Sequence, residues 1–244
     1  MRATAFEFRF RVVIIFVIYC LGFWAPWARY IGSSSVSTMW LELSGALASA
    51  HWLSLNAATI LITVLAIVSL VKGTIFRIWG TAYLGAPVMQ GKSMQGAAIV
   101  AAGPYRYVRN PLYVGSFLSA VAISILMSPS GAIFFLVAQA IFFFRLILGE
   151  EAYLTAQRGE TYLAYKQKVP RLLRSLRARV PASPSQPQWL SGMLAESYYI
   201  GITACFAVLA WRYNAYLLTR CVIICFGASL VLRAFVPREI TERS

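Results

Sequence analysis

The sequence predicts an all-α, polytopic integral membrane protein with about six transmembrane helices. Three observations predict it. Hydrophobic residues make up 59% of the 244 positions and charged residues only 12%, against about 25% charged in soluble domains. Several apolar runs approach or exceed the ~20 residues needed to cross a bilayer core. These runs are continuous, not the alternating segments of roughly 10 residues that build a membrane β-barrel.

The runs place spans at about 10–30, 54–76, 112–127, 131–148, 195–211 and 215–235. The first ends in Trp24-Ala25-Pro26-Trp27, bulky residues that read as an interfacial anchor and not as a signal-peptide cleavage site. The third and fourth form a tight helical hairpin through Ser128-Pro129-Ser130-Gly131, where Pro and Gly stop one helix and free the next. Segment 36–53 is moderately apolar and reads as a short re-entrant or interfacial helix.

Charge orients the spans. The net charge is +14, with net +5 in residues 72–111 and again in 145–190. The intervening loops on the other side are nearly bare. The positive-inside rule then places both termini in the cytoplasm, on a bacterial inner membrane. In this setting the basic excess signals topology and contact with membrane lipids, and nucleic acid is excluded for want of base-reading motifs. The Pro- and Ser-rich stretch 181–187 reads as a linker. The expected organisation is N-terminal transmembrane helices 1–76, a core with cytoplasmic segments 77–180, and a C-terminal helix pair 190–236. Cys20, Cys205, Cys221 and Cys225 lie in apolar runs and read as packing residues. The lone His51 lies in a different segment, so no metal site is expected.

Polar chemistry concentrates in three places. Gly103-Pro104-Tyr105-Arg106-Tyr107-Val108-Arg109-Asn110-Pro111-Leu112-Tyr113 sets two arginines and three tyrosines in a segment whose prolines forbid a continuous helix. It suits either an interfacial anchor or a shaped site. Glu150-Glu151 stand at a membrane edge, where adjacent acids need hydration or partners, with Arg109 or Arg145 as candidates. Tyr162, Tyr165 and Val169 share one face of a short helix that Pro170 ends, which reads as an amphipathic helix lying on the membrane.

In this order and spacing, G-P-Y-R-Y-V-R-N-P-L-Y-V-G, a hairpin, E-E-x-x-L and G-x-x-Y-x-x-Y-x-x-x-V-P-R resemble the isoprenylcysteine carboxyl methyltransferase family. The related membrane phospholipid N-methyltransferases are similar. The resemblance covers about residues 77–173, from Arg77-Ile78-Trp79-Gly80 onward. It implies S-adenosylmethionine as cofactor and a lipophilic or lipidated acceptor. It implies Gly103, Tyr105, Arg106, Asn110, Pro111, Tyr113, Glu150, Glu151 and Tyr162 around the cofactor. Arg109 would line the cofactor site and also face the acceptor; Lys168 stands where prenylcysteine enzymes have Arg, Arg171 lies nearby, and these three are the implied catalytic residues. One departure is Asn110, where the family has histidine; Asn cannot carry charge or shuttle protons at neutral pH. The residue types fit the implied chemistry: acids suit a cationic donor, and arginine suits a carboxylate. The resemblance leaves open a carboxylate acceptor or a phospholipid amine. A nicotinamide-dependent reductase of similar architecture lacks a glycine-rich fingerprint here. A non-catalytic scaffold or small transporter is the reading from another class. A transporter calls for ionisable residues within several spans, and Arg220 is the main candidate here.

Overall fold

The computed structural model describes residues 2–24, 37–84, 101–172, 175 and 177–234. Nine α-helices fall among them: α1 Ala5–Arg9, α2 Arg11–Trp24, α3 Met39–Ser49, α4 Leu55–Leu84, α5 Pro111–Ser124, α6 Pro129–Lys168, α7 Trp189–Ala195, α8 Ser197–Leu209 and α9 Ala215–Ala234. No strand occurs among the described residues, so the all-α expectation holds.

Six spans are not confirmed among the described residues. By length and composition α4, α6 and α9 can cross a membrane, and the α7–α8 pair, bent by 71°, makes a fourth if it is one span. The apolar helices α2 and α5 have only 14 residues each, or roughly 21 Å of rise against a core of about 30 Å. The Ala25–Trp27 part of the anchor, the end of the first expected span, Lys92 and the tail beyond 234 lie outside the described residues.

Two helices are longer than expected. The apolar run of α4 was expected to stop before Arg77, yet the helix continues to Leu84 because Arg77 meets an acid in the interior. The hairpin's second helix does not stop near 148. It runs to Lys168 and turns only at Gly159, whose φ of 53° suits glycine. At the hairpin turn Ser128 accepts from the Gly131 amide at 3.2 Å and Pro129 occupies the first helical position, an arrangement that starts a helix.

The central contact is α4 on α5. A Cβ on Gly115 would stand 2.6 Å from the Gly73 carbonyl oxygen, so only glycine allows this approach. The expected re-entrant segment forms α3, whose first amides donate to the hairpin turn, Met39 to Met127 O and Trp40 to Ile125 O. Phe135, Leu70, Ile123, Leu146, Ile202 and Phe206 fill the interior.

Stretch 181–187 is more than a linker. Described residues between 170 and 188 form a strap across the loop 101–109 and the end of α4 by backbone bonds. Arg109 N–H donates to Pro170 O, Ser175 to Tyr107 O, Arg179 to Arg106 O, Ser183 to Ala101 O and Gln188 to Ala82 O. The strap delivers α7 onto α4, so the C-terminal helices pack directly against the middle of the chain.

Candidate active site

A cavity of about 900 Å³ runs between the helices. The 3₁₀ turn Gly103–Arg106, closed by Pro104, and the start of α5 at Pro111 bring Tyr105, Arg109, Asn110, Pro111 and Tyr113 to its wall. From α6 come Glu150, Glu151 and Tyr162. Eight residues expected from the resemblance are thus brought together. The other four are elsewhere. Gly103 has φ of 50° and abuts Tyr83. Arg106 donates through Nε to Val180 O at 3.0 Å, fixing the strap. Lys168 is exposed. Arg171 acts through Glu151 from outside the cavity lining.

The two adjacent acids have different surroundings. Glu151 is 2% exposed and crowded by cations. Arg171 grips it through Nη2 at 2.9 Å and Nε at 3.1 Å. Arg109 Nη1 stands 3.4 Å away and Lys166 Nζ 4.0 Å. Asn110 Nδ2 donates to Glu151 at 3.3 Å and to Arg171 O at 3.1 Å. The Glu151 carboxylate holds the Arg171 guanidinium above its usual pKa. Glu151 is therefore a structural node joining loop, α6 and strap. Glu150 accepts from the Tyr113 hydroxyl at 2.7 Å and lines the cavity. Arg145, a candidate partner for these acids, is instead taken by Glu7, at 2.8 Å.

Arg109 is the unfinished side chain. It is buried, with 8% of its side chain exposed. Its Nε and Nη1 have no hydrogen-bond partner among the described residues; the 3.4 Å approach of Nη1 to Glu151 is an ion pair without hydrogen-bond alignment. A guanidinium with idle donors at a cavity wall can receive an anion.

Tyr162 and Tyr165 do not lie on the membrane. Both are buried with Val169, Leu154 and Val180, and the Tyr165 hydroxyl donates to Tyr105 O at 2.7 Å. The apolar stripe seats the helix on the site loop. Burial pushes the Tyr105 phenol well above its usual pKa, so it stays a neutral donor.

Sequence reasoning missed a second ionic cluster. Glu196, fully buried at the α7–α8 bend, accepts from Arg77 Nε and Nη2, both at 2.8 Å, and from Thr81. Arg77 Nη1 donates to Ser116 at 3.0 Å, and its guanidinium lies over the Tyr199 ring. The ionic pair set between these apolar helices is thus Arg77 with Glu196. Arg220, the expected candidate, rests on Tyr216 of its own helix. The available signal was two opposite charges, each isolated in an apolar run.

A profile of the phospholipid methyltransferase family matches residues 61–160. The match covers less than half of the 244 residues. The matched segment carries the site loop, α5 and the Glu150-Glu151 pair, the parts that build the polar end of the cavity. The chain is also similar to the protein-S-isoprenylcysteine O-methyltransferase of Schizosaccharomyces pombe (strain 972 / ATCC 24843), 38% identical over 85 residues. That match covers 34% of this chain and 36% of the relative, so the chain spans about a third of the relative it matches. No solved structure matches the chain.

Proposed function

We propose that the protein is an S-adenosylmethionine-dependent methyltransferase of the bacterial inner membrane, with both termini cytoplasmic, acting on a lipophilic acceptor such as an isoprenylcysteine-like carboxylate. The observation that carries the reading is the pairing of Arg109, with idle buried donors, and Glu150 on one cavity wall. The family segment and the isoprenylcysteine O-methyltransferase relative support it.

The residues present fit the cofactor. S-adenosylmethionine, when bound, supplies a methyl group on a cationic sulfur and carries a carboxylate at its other end. Arg109 Nε and Nη1 suit that carboxylate. Glu150, oriented by Tyr113, supplies negative charge for the cation, while Tyr105, Asn110, Pro111, Glu151 and Tyr162 complete the wall. Methyl transfer of this kind requires alignment and a dry site more than acid–base help. The strap and the Tyr162–Tyr165 helix close the cytoplasmic end over the loop. Asn110 meets its position by hydrogen bonding alone, since both its partners are acceptors. A charge is not needed there, so the departure from histidine is compatible with activity. Lys168 and Arg171 serve the acceptor only at the surface, Arg171 by holding Glu151.

Beyond the cytoplasmic end the cavity is apolar. Val12, Ile15, Phe16 and Phe23 of α2 line it with Val222, Ile223 and Phe226 of α9, a lining suited to a hydrocarbon chain. A second reading, methylation of a phospholipid amine, is favoured by the description of the matching family. The deciding experiment incubates purified protein with a methyl-labelled donor and either a prenylated cysteine or phosphatidylethanolamine vesicles. Label in the prenylcysteine as a base-labile ester supports the first reading. Label in the amine supports the second, and label in neither, nor in a total lipid extract, sinks both.

A further inference from the structure

The cavity has a second polar point that methyl transfer does not use. Gln139, Phe143, Leu146 and Glu150 of α6 all line it. Their spacing of i, i+4, i+7 and i+11 keeps them on one helix face. Glu150 and Gln139 are therefore the polar ends of an apolar stripe, about 16 Å apart along the axis. Gln139 is 1% exposed, and its Oε1 has no hydrogen-bond partner among the described residues. A buried carbonyl oxygen without a donor is unfavourable and uncommon. A leucine at this place would satisfy an apolar helix without that cost.

The surroundings define what would satisfy it. The Tyr19 ring meets Phe135, one turn from Gln139, edge-on at 4.6 Å. The Ser116 and Tyr199 hydroxyls lie 3.1 Å apart. Arg77, which also lines the cavity, is compensated by Glu196. The idle atom at Gln139 is a neutral acceptor.

We infer that Gln139 is a recognition subsite for a neutral hydrogen-bond donor, a hydroxyl or amide N–H, carried partway along the acceptor's chain about 16 Å from its reacting end. The inference rests on the proposed reading that the acceptor lies in this cavity. Phe143 and Leu146 contact the hydrocarbon between the two polar points, so a plain chain binds but leaves Oε1 unsatisfied.

The test measures binding, independent of turnover. Two N-acetyl-S-alkyl cysteines of equal chain length, one plain and one with a hydroxyl at the matching depth, are titrated calorimetrically into purified protein in detergent. The wild type is expected to bind the hydroxylated probe about tenfold tighter, as for a hydrogen bond to an otherwise unpaired group. Gln139→Leu and Gln139→Met, the second close to glutamine in size, are expected to reverse the preference. Equal affinities in the wild type overturn the inference, as does a preference that survives in a folded Gln139 variant; a buried glutamine that serves packing alone gives the first result. Failure of either probe to bind at all overturns it too. Binding with the predicted preference but without methyl transfer would leave the subsite standing and sink the proposed reaction.

Discussion

Two buried arginines lie at the wall of one cavity, each beside a glutamate, and they differ in what remains undone. Arg77 spends its donors on Glu196 and Ser116 and lies on the Tyr199 ring. Arg109 keeps Nε and Nη1 without hydrogen bonds among the described residues. Their acids differ in the opposite sense. Glu196 has Arg77 as its cationic partner, whereas Glu151 has Arg171 and Lys166 besides Arg109. The first pair is a closed structural clasp. In the second, the acid is held without the arginine. Counting hydrogen bonds thus separates an arginine whose donors are spent from one with donors to spare.

The largest effect should come from opening the clasp. Glu196→Ala strands the Arg77 charge in the interior and is expected to cost about 3–5 kcal/mol, read as a large fall in Tm or loss of folded protein in detergent. The double change Arg77→Met with Glu196→Leu removes both charges and is expected to recover most of that loss. If the single change leaves Tm where it was, the clasp is not structural. At the other pair, Arg109→Ala should leave Tm within a few degrees, because Glu151 retains Arg171, Lys166 and Asn110. It should weaken S-adenosylmethionine binding by about 10- to 100-fold, the value of lost charge-assisted bonds. Arg109→Lys should not restore it, since lysine lacks the planar fork.

A smaller effect is expected from Asn110→His, which should leave cofactor affinity unchanged or raise it in the same titration. Clear loss would mean that the Asn110 amide, donating to both Glu151 and Arg171 O, does something an imidazole cannot. The smallest effect concerns Glu7. The Arg145 guanidinium, with the Thr4 amide, lowers its carboxyl from 4.5 to about 2. A lowered folded pKa means the stabilising contribution is complete above about pH 4.5 and is lost as pH falls toward about 2. Hydrogen exchange at α1 should therefore speed up in that window, and Glu7→Gln should abolish the dependence.

Much of this was legible in the sequence, for physical reasons that differ by element. The hairpin turn could be read because Ser128, Pro129 and Gly131 act locally. The loop before α5 could be read because two prolines bar helix whatever surrounds them. The Tyr162, Tyr165 and Val169 stripe was visible as a face, but periodicity does not say what covers a face; protein covers it, through Tyr105 and Val180, where membrane was expected. The Pro- and Ser-rich stretch was read as a linker from composition, which carries no record of the backbone bonds from Arg179 and Ser183. Glu196 was missed because its partner Arg77 is 119 positions away and the pairing depends on the bend between α7 and α8. Six spans stay unconfirmed because hydropathy measures apolarity, and the described parts of α2 and α5 are apolar but only 14 residues each.

The most direct measurement is calorimetric titration of S-adenosylmethionine into the purified wild type, Arg109→Ala and the Arg77→Met, Glu196→Leu double variant. The account predicts saturable binding to the wild type, a loss of about 10- to 100-fold in the folded Arg109→Ala protein, and near wild-type affinity in the double variant. Absence of binding to the folded wild type, or a double variant that loses the cofactor as severely as Arg109→Ala, would contradict it.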